Sequence, residues 1–554
     1  MEEKEKIISN LISTELANTQ NTISNKFKTR KIINHRTEFK KIKDYLDNFI
    51  KGNFNNRFIV LPGIRGVGKT TILFQIYEYL VKEKNITNNQ ILYISCEDVN
   101  NLTNCNIREV IEIYLKNHFN RNLRTIEKPV FLLIDEAQYD KNWAISGKII
   151  YDKSDNIFMI FTGSSALNLE YNADAARRMI KKNIPPLNYA EHIKLKYGLD
   201  LSKKENPIYN LVFNGEINKA LDYEIEINNK LINCQNYTSD DWMEYLKYGG
   251  FPYLFYGNNY EEIPAKLNDM VQKVINVDMI KIKNFTSENQ ANANRILRFL
   301  SLQKPGEISQ NNLSNYLETS VSNVKNILDT LEKTHLIFHT EPYSASANRI
   351  KKAWKYFFAT SSIRYALSSS IGNPINQKHF EGVILEDLVA SHLFYSQYFE
   401  RNYFNLYYDG SGNKGNVDFL IHNGINKVIP IEVGRGKKDK KQVKKAMNTY
   451  NSDYGIIVSN NKDFIEKEDD VIFISPKTFS FMWKFLIKIN VLMLITIFLI
   501  FLCLCKLNFY WFFLLALWNY CFFSIFFSCF LGVLFFVKIS FFIWFHVYLV
   551  VLFL

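Results

Sequence analysis

The sequence predicts an α/β fold built on a parallel sheet around a phosphate-binding loop, and three observations predict it. Short, continuous apolar runs alternate with stretches of helical periodicity. A glycine-rich segment from Gly63 to Thr71 fits the spacing GxxxxGK(S/T) directly after one such run, and a later run ends in two adjacent acids, Asp135-Glu136. Unbroken apolar strands separated by helices are what a parallel sheet covered on both faces requires.

Arg57-Phe-Ile-Val-Leu61 reads as the first buried strand. In the segment that follows, glycines let the backbone turn its N–H groups toward a phosphate, and the next helix offers its positive N-terminus. The pattern assigns Gly63, Ile64, Arg65, Gly66, Val67, Gly68, Lys69, Thr70 and Thr71 to nucleotide binding. Lys69 would reach the β and γ phosphates, and the Thr70 hydroxyl would hold Mg²⁺. ATP and Mg²⁺ are the expected cofactors. Ile72, Leu73, Ile76, Leu80 and Val81 then recur at helical spacing. Ile91–Ser95 supplies a second strand, and Val130–Ile134 a third whose tip carries Asp135 for the metal and Glu136 as general base. Ile157–Phe161 ends in Thr162-Gly163-Ser164-Ser165, a polar strand end suited to sensing the γ-phosphate. The nucleotide is expected at the carboxyl ends of these strands.

The motifs GIRGVGKTT, LLIDEAQ and TGSSALNL, the pair Arg177-Arg178 before IPPLNYAEH, and Tyr248-Gly-Gly-Phe-Pro252 together resemble the archaeal and bacterial AAA-type (STAND-like) P-loop ATPases. The resemblance runs from about Lys31 to Phe481. It implies an AAA+-like core that hydrolyses ATP, with Thr162 or Ser164 in the sensor position. Arg177 or Arg178 would be the arginine that stabilises transition-state charge. The implied catalytic set is Lys69, Glu136, Thr162, Arg177 and Arg178.

Between Gly249 and Lys355 the apolar spacing changes to short helices. Ile296, Leu297 and Leu300 mark one, Leu313 and Leu317 a second, and Val321, Val324, Ile327, Leu328 and Leu331 a third. His335–His339 and Ala353–Phe358 read as a two-stranded wing, so a winged helix-turn-helix is expected. DNA is the expected partner, with Ser320, Ser322, Asn323, Lys325 and Asn326 toward the bases and Arg349, Lys351 and Lys352 toward phosphates. From about Gln377 the chain resembles the restriction-endonuclease-like domain that follows such ATPases. There a helix carries Glu, a strand Asp and the next strand E-x-K, matched here by Glu386, Asp418 and Glu432. Position 434 is Gly where that pattern has Lys. Lys437 and Lys438 lie nearby on a loop, a poorer place for a catalytic group, and a degenerate site without nuclease activity is expected.

The chain has 554 residues and a net charge of +12, a basic bias compatible with nucleic acid or an anionic surface. Its seven cysteines show neither zinc spacing nor a disulfide framework, and the N-terminus lacks a signal-peptide core, so a cytoplasmic ATPase is expected. From Phe485 onward the sequence is almost uncharged and apolar. It reads either as a transmembrane helical tail that anchors the chain to a membrane or as the frame-shifted end of an AT-rich gene. The expected domains are an N-terminal helical extension (1–30), the P-loop ATPase (31–200), a helical lid or linker (201–285), the winged helix (286–376), the endonuclease-like domain (377–481) and the tail (485–554). The expected function is an ATPase whose turnover drives or switches an interaction; the competing expectation is a slow, ATP-dependent signalling or scaffold switch held at a membrane. Oligomerisation is left open.

Overall fold

The computed structural model describes residues 2–482 apart from 31, 165–172, 204, 253–254, 256–260, 283–284, 345–352, 371–376, 399–403, 411–415, 423–427 and 437. The P-loop region forms a parallel sheet of β1 (Phe58–Pro62), β2 (Ile91–Ser95), β3 (Val130–Asp135), β4 (Ile157–Gly163) and β5 (Ile180–Lys181). Their order is β2-β3-β4-β1-β5. Every residue of β1, β3 and β4 is buried, which is why these strands are unbroken apolar runs instead of alternating ones. Pro62 of β1 lies opposite Gly163 of β4, and Ile134 of β3 lies opposite Phe161. The exits of β1, β3 and β4 therefore fall together on one edge of the sheet. The two-residue β5 beside β1 has no apolar run to announce it in the sequence.

The helix Lys69–Lys82 covers one face of this sheet with Ile72, Leu73, Ile76 and Leu80. On the other face, Ile8 and Ile12 of the N-terminal helix Glu2–Arg30 share a core with Leu92, Ile94, Val110 and Tyr114.

His192, in the helix Tyr189–Tyr197, is fully buried among the rings of Tyr189, Tyr245 and Phe255, and neither ring nitrogen has a hydrogen-bond partner. Its ring and the carboxylates of Asp241 and Glu244 bring ligand atoms within 4.8 Å of one another. The Lys196 ammonium already bridges those two carboxylates at 2.6 and 2.7 Å. Burial, with Lys196 acting the same way and Asp241 opposing it, pushes the His192 pKa down to about 3 from 6.5. Below pH 6.5 the unfolded chain takes up a proton that the folded chain refuses, so stability is whole above 6.5 and is lost as pH falls toward 3. At pH 5 that loss is about 2 kcal/mol. His192→Phe should keep the aromatic packing and flatten this dependence, as thermal melts of both proteins at pH 7 and pH 5 would show.

A second, mixed sheet contains β6 (Glu307–Ile308), β7 (Ile337–Pro342), β8 (Trp354–Phe358), β9 (Asn405–Tyr408), β10 (Phe419–His422), β11 (Ile429–Val433), β12 (Gly455–Val458), β13 (Glu466–Glu468) and β14 (Val471–Ile474). Its order is β13-β14-β12-β11-β10-β9-β7-β8-β6. The helices Ser287–Leu302, Gln310–Leu317 and Val321–Lys333 precede β7 and β8, which pair antiparallel, and β6 pairs with β8. The junction is β7 with β9, where Glu341 and Pro342 lie opposite Tyr407 and Tyr408. Strands of the 286–376 and 377–481 regions thus share one sheet, which the sequence pattern did not anticipate.

A buried ion pair ties these regions together. Arg364 in the helix Ser361–Ser369 donates to Asp387 in the helix Gln377–Tyr398 and to the carbonyls of Leu300 and Gln303, and Asp387 also accepts from Phe358 N.

The transmembrane part of the expected fold class is corrected. Among the described residues no helix is long and apolar enough to cross a membrane. Length alone does not suffice: Glu2–Arg30 has 29 residues with charges along it, and Gln377–Tyr398 has 22 with Lys378, Glu381, Glu386 and Asp387 in its first half. The segment 485–554, on which that expectation rested, lies outside the described residues.

Candidate functional site

The loop between β1 and the helix Lys69–Lys82 is shaped by close packing and by a left-handed turn. A Cβ on Gly63 would sit 2.5 Å from the carbonyl oxygen of Ile184, and Gly68 has φ +95° immediately before the helix. Lys69 is buried and donates to the carbonyls of Gly63 at 2.9 Å and Ile64 at 3.0 Å. Its ammonium thus lies folded into the concave side of the loop. Burial lowers its pKa, opposed by Glu136 and Asp135.

The sheet brings the expected partners to the loop. Asp135 at the tip of β3 accepts from the Thr70 hydroxyl at 2.7 Å, from the Tyr93 hydroxyl at 3.2 Å and from the Thr162 hydroxyl at the end of β4. Thr162 is fully buried, whereas Ser164 follows it with an unpartnered hydroxyl. Burial and neighbouring Glu136 raise the Asp135 pKa, while Thr162 and Thr70 oppose the rise. This oxygen-rich donor set suits a hard cation such as Mg²⁺.

Glu136 adopts φ +51°, a left-handed conformation uncommon outside glycine. Its carboxylate accepts from Gln138 Nε2, and Gln138 Oε1 in turn accepts from Ser164 N at 3.1 Å. Arg65 stands 3.9 Å from Glu136 and is gripped by Asp278 through two bonds of 2.9 and 3.0 Å. Asp278 ends a π-helical turn, Val274–Asp278, on the chain segment after the helix Glu262–Lys273. Gln138 and Asp278 were missed in the sequence. The Gln of DEAQ could have drawn notice by its adjacency; an isolated Asp at 278 carries no signal.

A cavity of about 410 Å³ opens over the loop, lined by Arg65, Thr70, Glu136, Pro252, Lys266 and Lys273 among others. Five cationic side chains line it, Arg30, Arg65, Lys69, Lys266 and Lys273, beside the phosphate-binding backbone. An adjoining recess lies between Asn34, Gln75, Leu195 and Phe255. Arg36 braces the loop from behind, donating to Val67 O at 2.8 Å and to Glu191 at 2.7 Å. Arg177 and Arg178 are not among the residues that line the cavity. Arg177 is exposed, and Arg178 donates to Asp152 at 3.0 Å.

On the third helix of the 287–333 segment, Ser320 caps the N-terminus and Asn323 donates to Asn289 and Thr319 at 2.8 and 2.9 Å. Ser320, Ser322 and Lys325 are the exposed members of the expected base-reading set, and Asn323 and Asn326 are half-buried. Arg349, Lys351 and Lys352 lie outside the described residues.

The second expected set lies on neighbouring elements, but among the described residues the acids and histidines whose ligand atoms all fall within 4.8 Å of one another are His192, Asp241 and Glu244, not these three. Glu386 comes from the helix Gln377–Tyr398, Asp418 immediately precedes β10 and Glu432 lies on β11. Asp418 accepts from Val433 N at 2.8 Å. Burial first, then the charge of Asp418, pushes Glu386 up to about 8 and Glu432 up to about 7.

A family model described as an AAA domain matches residues 55–193, which contain β1, the loop, Asp135-Glu136 and Thr162. This part of the chain is an AAA-type P-loop domain. Two further models, described as domains of unknown function (DUF8612 and DUF4143), match residues 239–374 and 381–479. The uncharacterized protein MJ1637 of Methanocaldococcus jannaschii is 31% identical over 444 residues, spanning 80% of this chain and 88% of that one. An uncharacterized protein of Haemophilus influenzae is 22% identical over 368 residues, spanning 63% of this chain and 78% of that one. The solved Walker-type ATPase PABY2304 of Pyrococcus abyssi aligns with a TM-score of 0.36 at 14% identity, over 60% of this chain and 96% of that chain. A likeness of that degree adds nothing to what the loop and sheet order show.

Proposed function

The chain belongs to the same family as the Methanocaldococcus jannaschii protein MJ1637, and on that premise we propose that its AAA-type P-loop domain binds ATP with Mg²⁺ and hydrolyses it to drive or switch an interaction. The observation that carries this reading is the convergence of Lys69, Thr70, Asp135, Glu136 and Thr162 at the exits of three neighbouring strands. Bound Mg²⁺ would neutralise charge on the β and γ phosphates. Thr70 and Asp135 are the residues to hold it. Lys69 exchanges the carbonyls of Gly63 and Ile64 for phosphate oxygens. Glu136 takes a proton from the attacking water as that oxygen bonds to the γ-phosphorus and the bond to the β–γ bridging oxygen breaks, giving ADP and phosphate. Arg177 or Arg178 would have to serve a nucleotide held by a neighbouring copy.

Lys69→Ala should reduce steady-state turnover by about 100-fold or more and weaken ATP binding, because it removes the cation on the transferred phosphate. The grip of Gln138 and Arg65 on Glu136 favours one competing reading, a slow ATP-dependent switch whose base is released by a partner. Native turnover no faster than that of Lys69→Ala would establish the switch and overturn hydrolysis.

For the segment 287–358 we propose a winged helix-turn-helix that presents Ser322 and Lys325 to DNA, and for 377–481 an endonuclease-like domain. Duplex DNA should raise ATP turnover, and the stimulation should fade with added salt; turnover unchanged by DNA at low salt would remove DNA as the partner.

A further inference from the structure

Two helices bring three metal-ligating side chains together away from the phosphate-binding loop. His192 belongs to the helix Tyr189–Tyr197, and Asp241 and Glu244 to the helix Asp240–Tyr248. One ligand atom of each lies within 4.8 Å of the other two. His192 is fully buried, and neither ring nitrogen has a hydrogen-bond partner. The hydroxyls of the tyrosines around it are engaged elsewhere, Tyr189 with Tyr237 and Tyr245 with the carbonyl of Leu187. A buried polar group left in this way is costly. Burial also keeps the ring neutral, the form in which imidazole binds a metal.

The two carboxylates already attract a cation. Lys196 bridges them, but its single positive charge faces two negative ones and leaves the His192 nitrogens without a partner. A divalent ion would balance both carboxylates and engage the imidazole as well. Asp241 is held as a ligand should be: one oxygen accepts from Thr238 N at 2.7 Å and Thr238 Oγ1 at 3.3 Å, the other from the Tyr197 hydroxyl at 2.5 Å. Outer hydrogen bonds of this kind fix the orientation of a ligating carboxylate. Metal bonds of about 2.0–2.2 Å require ligand atoms no more than about 4.4 Å apart. Glu244, whose side chain is 15% exposed, is the arm free to close that gap, and the Lys196 side chain, 22% exposed, can turn toward solvent. A nitrogen donor beside two carboxylates suits Zn²⁺ and its transition-metal neighbours better than Mg²⁺ or Ca²⁺.

We propose that His192, Asp241 and Glu244 form a binding site for a divalent transition-metal ion of the Zn²⁺ type, which displaces Lys196 and fastens the helix Tyr189–Tyr197 to the helix Asp240–Tyr248. The first of these helices straddles the end of the AAA-type segment 55–193, and the second lies at the start of the segment 239–374. Glu191, adjacent to His192, holds the Arg36 that braces the phosphate-binding loop. The ion therefore secures the join between the two segments, and its binding does not depend on the ATPase reading.

Co²⁺, whose visible absorption reports its ligands, is the probe. It is titrated into the chelator-treated full chain without nucleotide, with Mg²⁺ present to fill sites made of oxygen alone. The native chain should saturate with a spectrum of nitrogen and oxygen coordination, and its thermal midpoint should rise with Co²⁺ concentration. His192→Phe, which keeps the ring packing, should weaken binding by about 100-fold or more, and Glu244→Gln by about 10-fold or more. Lys196→Met keeps the stem but removes the competing charge, and should bind about 10-fold more tightly. Thermal melts at pH 7 establish that each variant is folded. The proposal is overturned by a native chain that gives no Co²⁺ spectrum, or by a thiolate charge-transfer band, which would put the metal on a cysteine. It is also overturned if folded His192→Phe or Glu244→Gln binds as tightly as the native chain. Lys196→Met binding no more tightly than the native chain would overturn it too, by showing that the ion does not take the place of the lysine.

Discussion

Glu136→Gln is expected to lower ATP turnover by about 10²- to 10⁴-fold while leaving ATP bound as tightly as in the native chain. Gln preserves the size of the side chain and can still hydrogen-bond Gln138, so the left-handed turn at 136 and the link to Ser164 should persist. What it lacks is a carboxylate to accept the proton of water. The affinity of a fluorescent ATP analogue, measured beside single-turnover hydrolysis, separates the two effects. Hydrolysis at the native rate would show that Glu136 is not the base. Loss of binding in proportion to hydrolysis would show that it matters for the shape of the site instead.

The largest effect on stability is expected at Arg364, whose partner Asp387 adjoins Glu386 in the helix Gln377–Tyr398. Arg364 is 1% exposed and Asp387 is fully buried, and the pair joins three helices through the carbonyls of Leu300 and Gln303. Arg364→Ala would leave Asp387 charged and uncompensated in the interior, at a cost of about 3–5 kcal/mol. Urea unfolding of the full chain measures it. Replacing both partners by apolar residues of similar volume should cost less than Arg364→Ala alone, because no buried charge is stranded. Equal costs would mean that lost packing, not the stranded carboxylate, is the cause.

Much of the P-loop site was legible because its grammar is local. The spacing from Gly63 to Thr71 specifies a loop and the start of a helix, and the apolar runs around 58–62, 130–135 and 157–163 specify buried strands. Nothing local specifies that Arg65 meets Asp278, which lies 213 positions further along the chain. The expected arginines were harder still. Arg177 and Arg178 were singled out for their type and their place before IPPLNYAEH, but a side chain's direction depends on neighbours such as Asp152. The base-reading set lost Asn323 to Asn289 in the same way. Membrane insertion was inferred from a segment whose composition alone suggested it, and the described helices of sufficient length carry too many charges to cross a bilayer.

The sequence by itself determined the chemistry available to this protein: a phosphate-binding loop and an acidic strand tip. These are properties of residue type and of short-range periodicity, which the chain carries before it folds. Only the tertiary structure decided how those groups are used. It set Gln138 and Arg65 on Glu136, merged the strands of two regions through β7 and β9, and brought His192 beside Asp241 and Glu244. Each of these is a contact whose existence depends on the packing of elements around it.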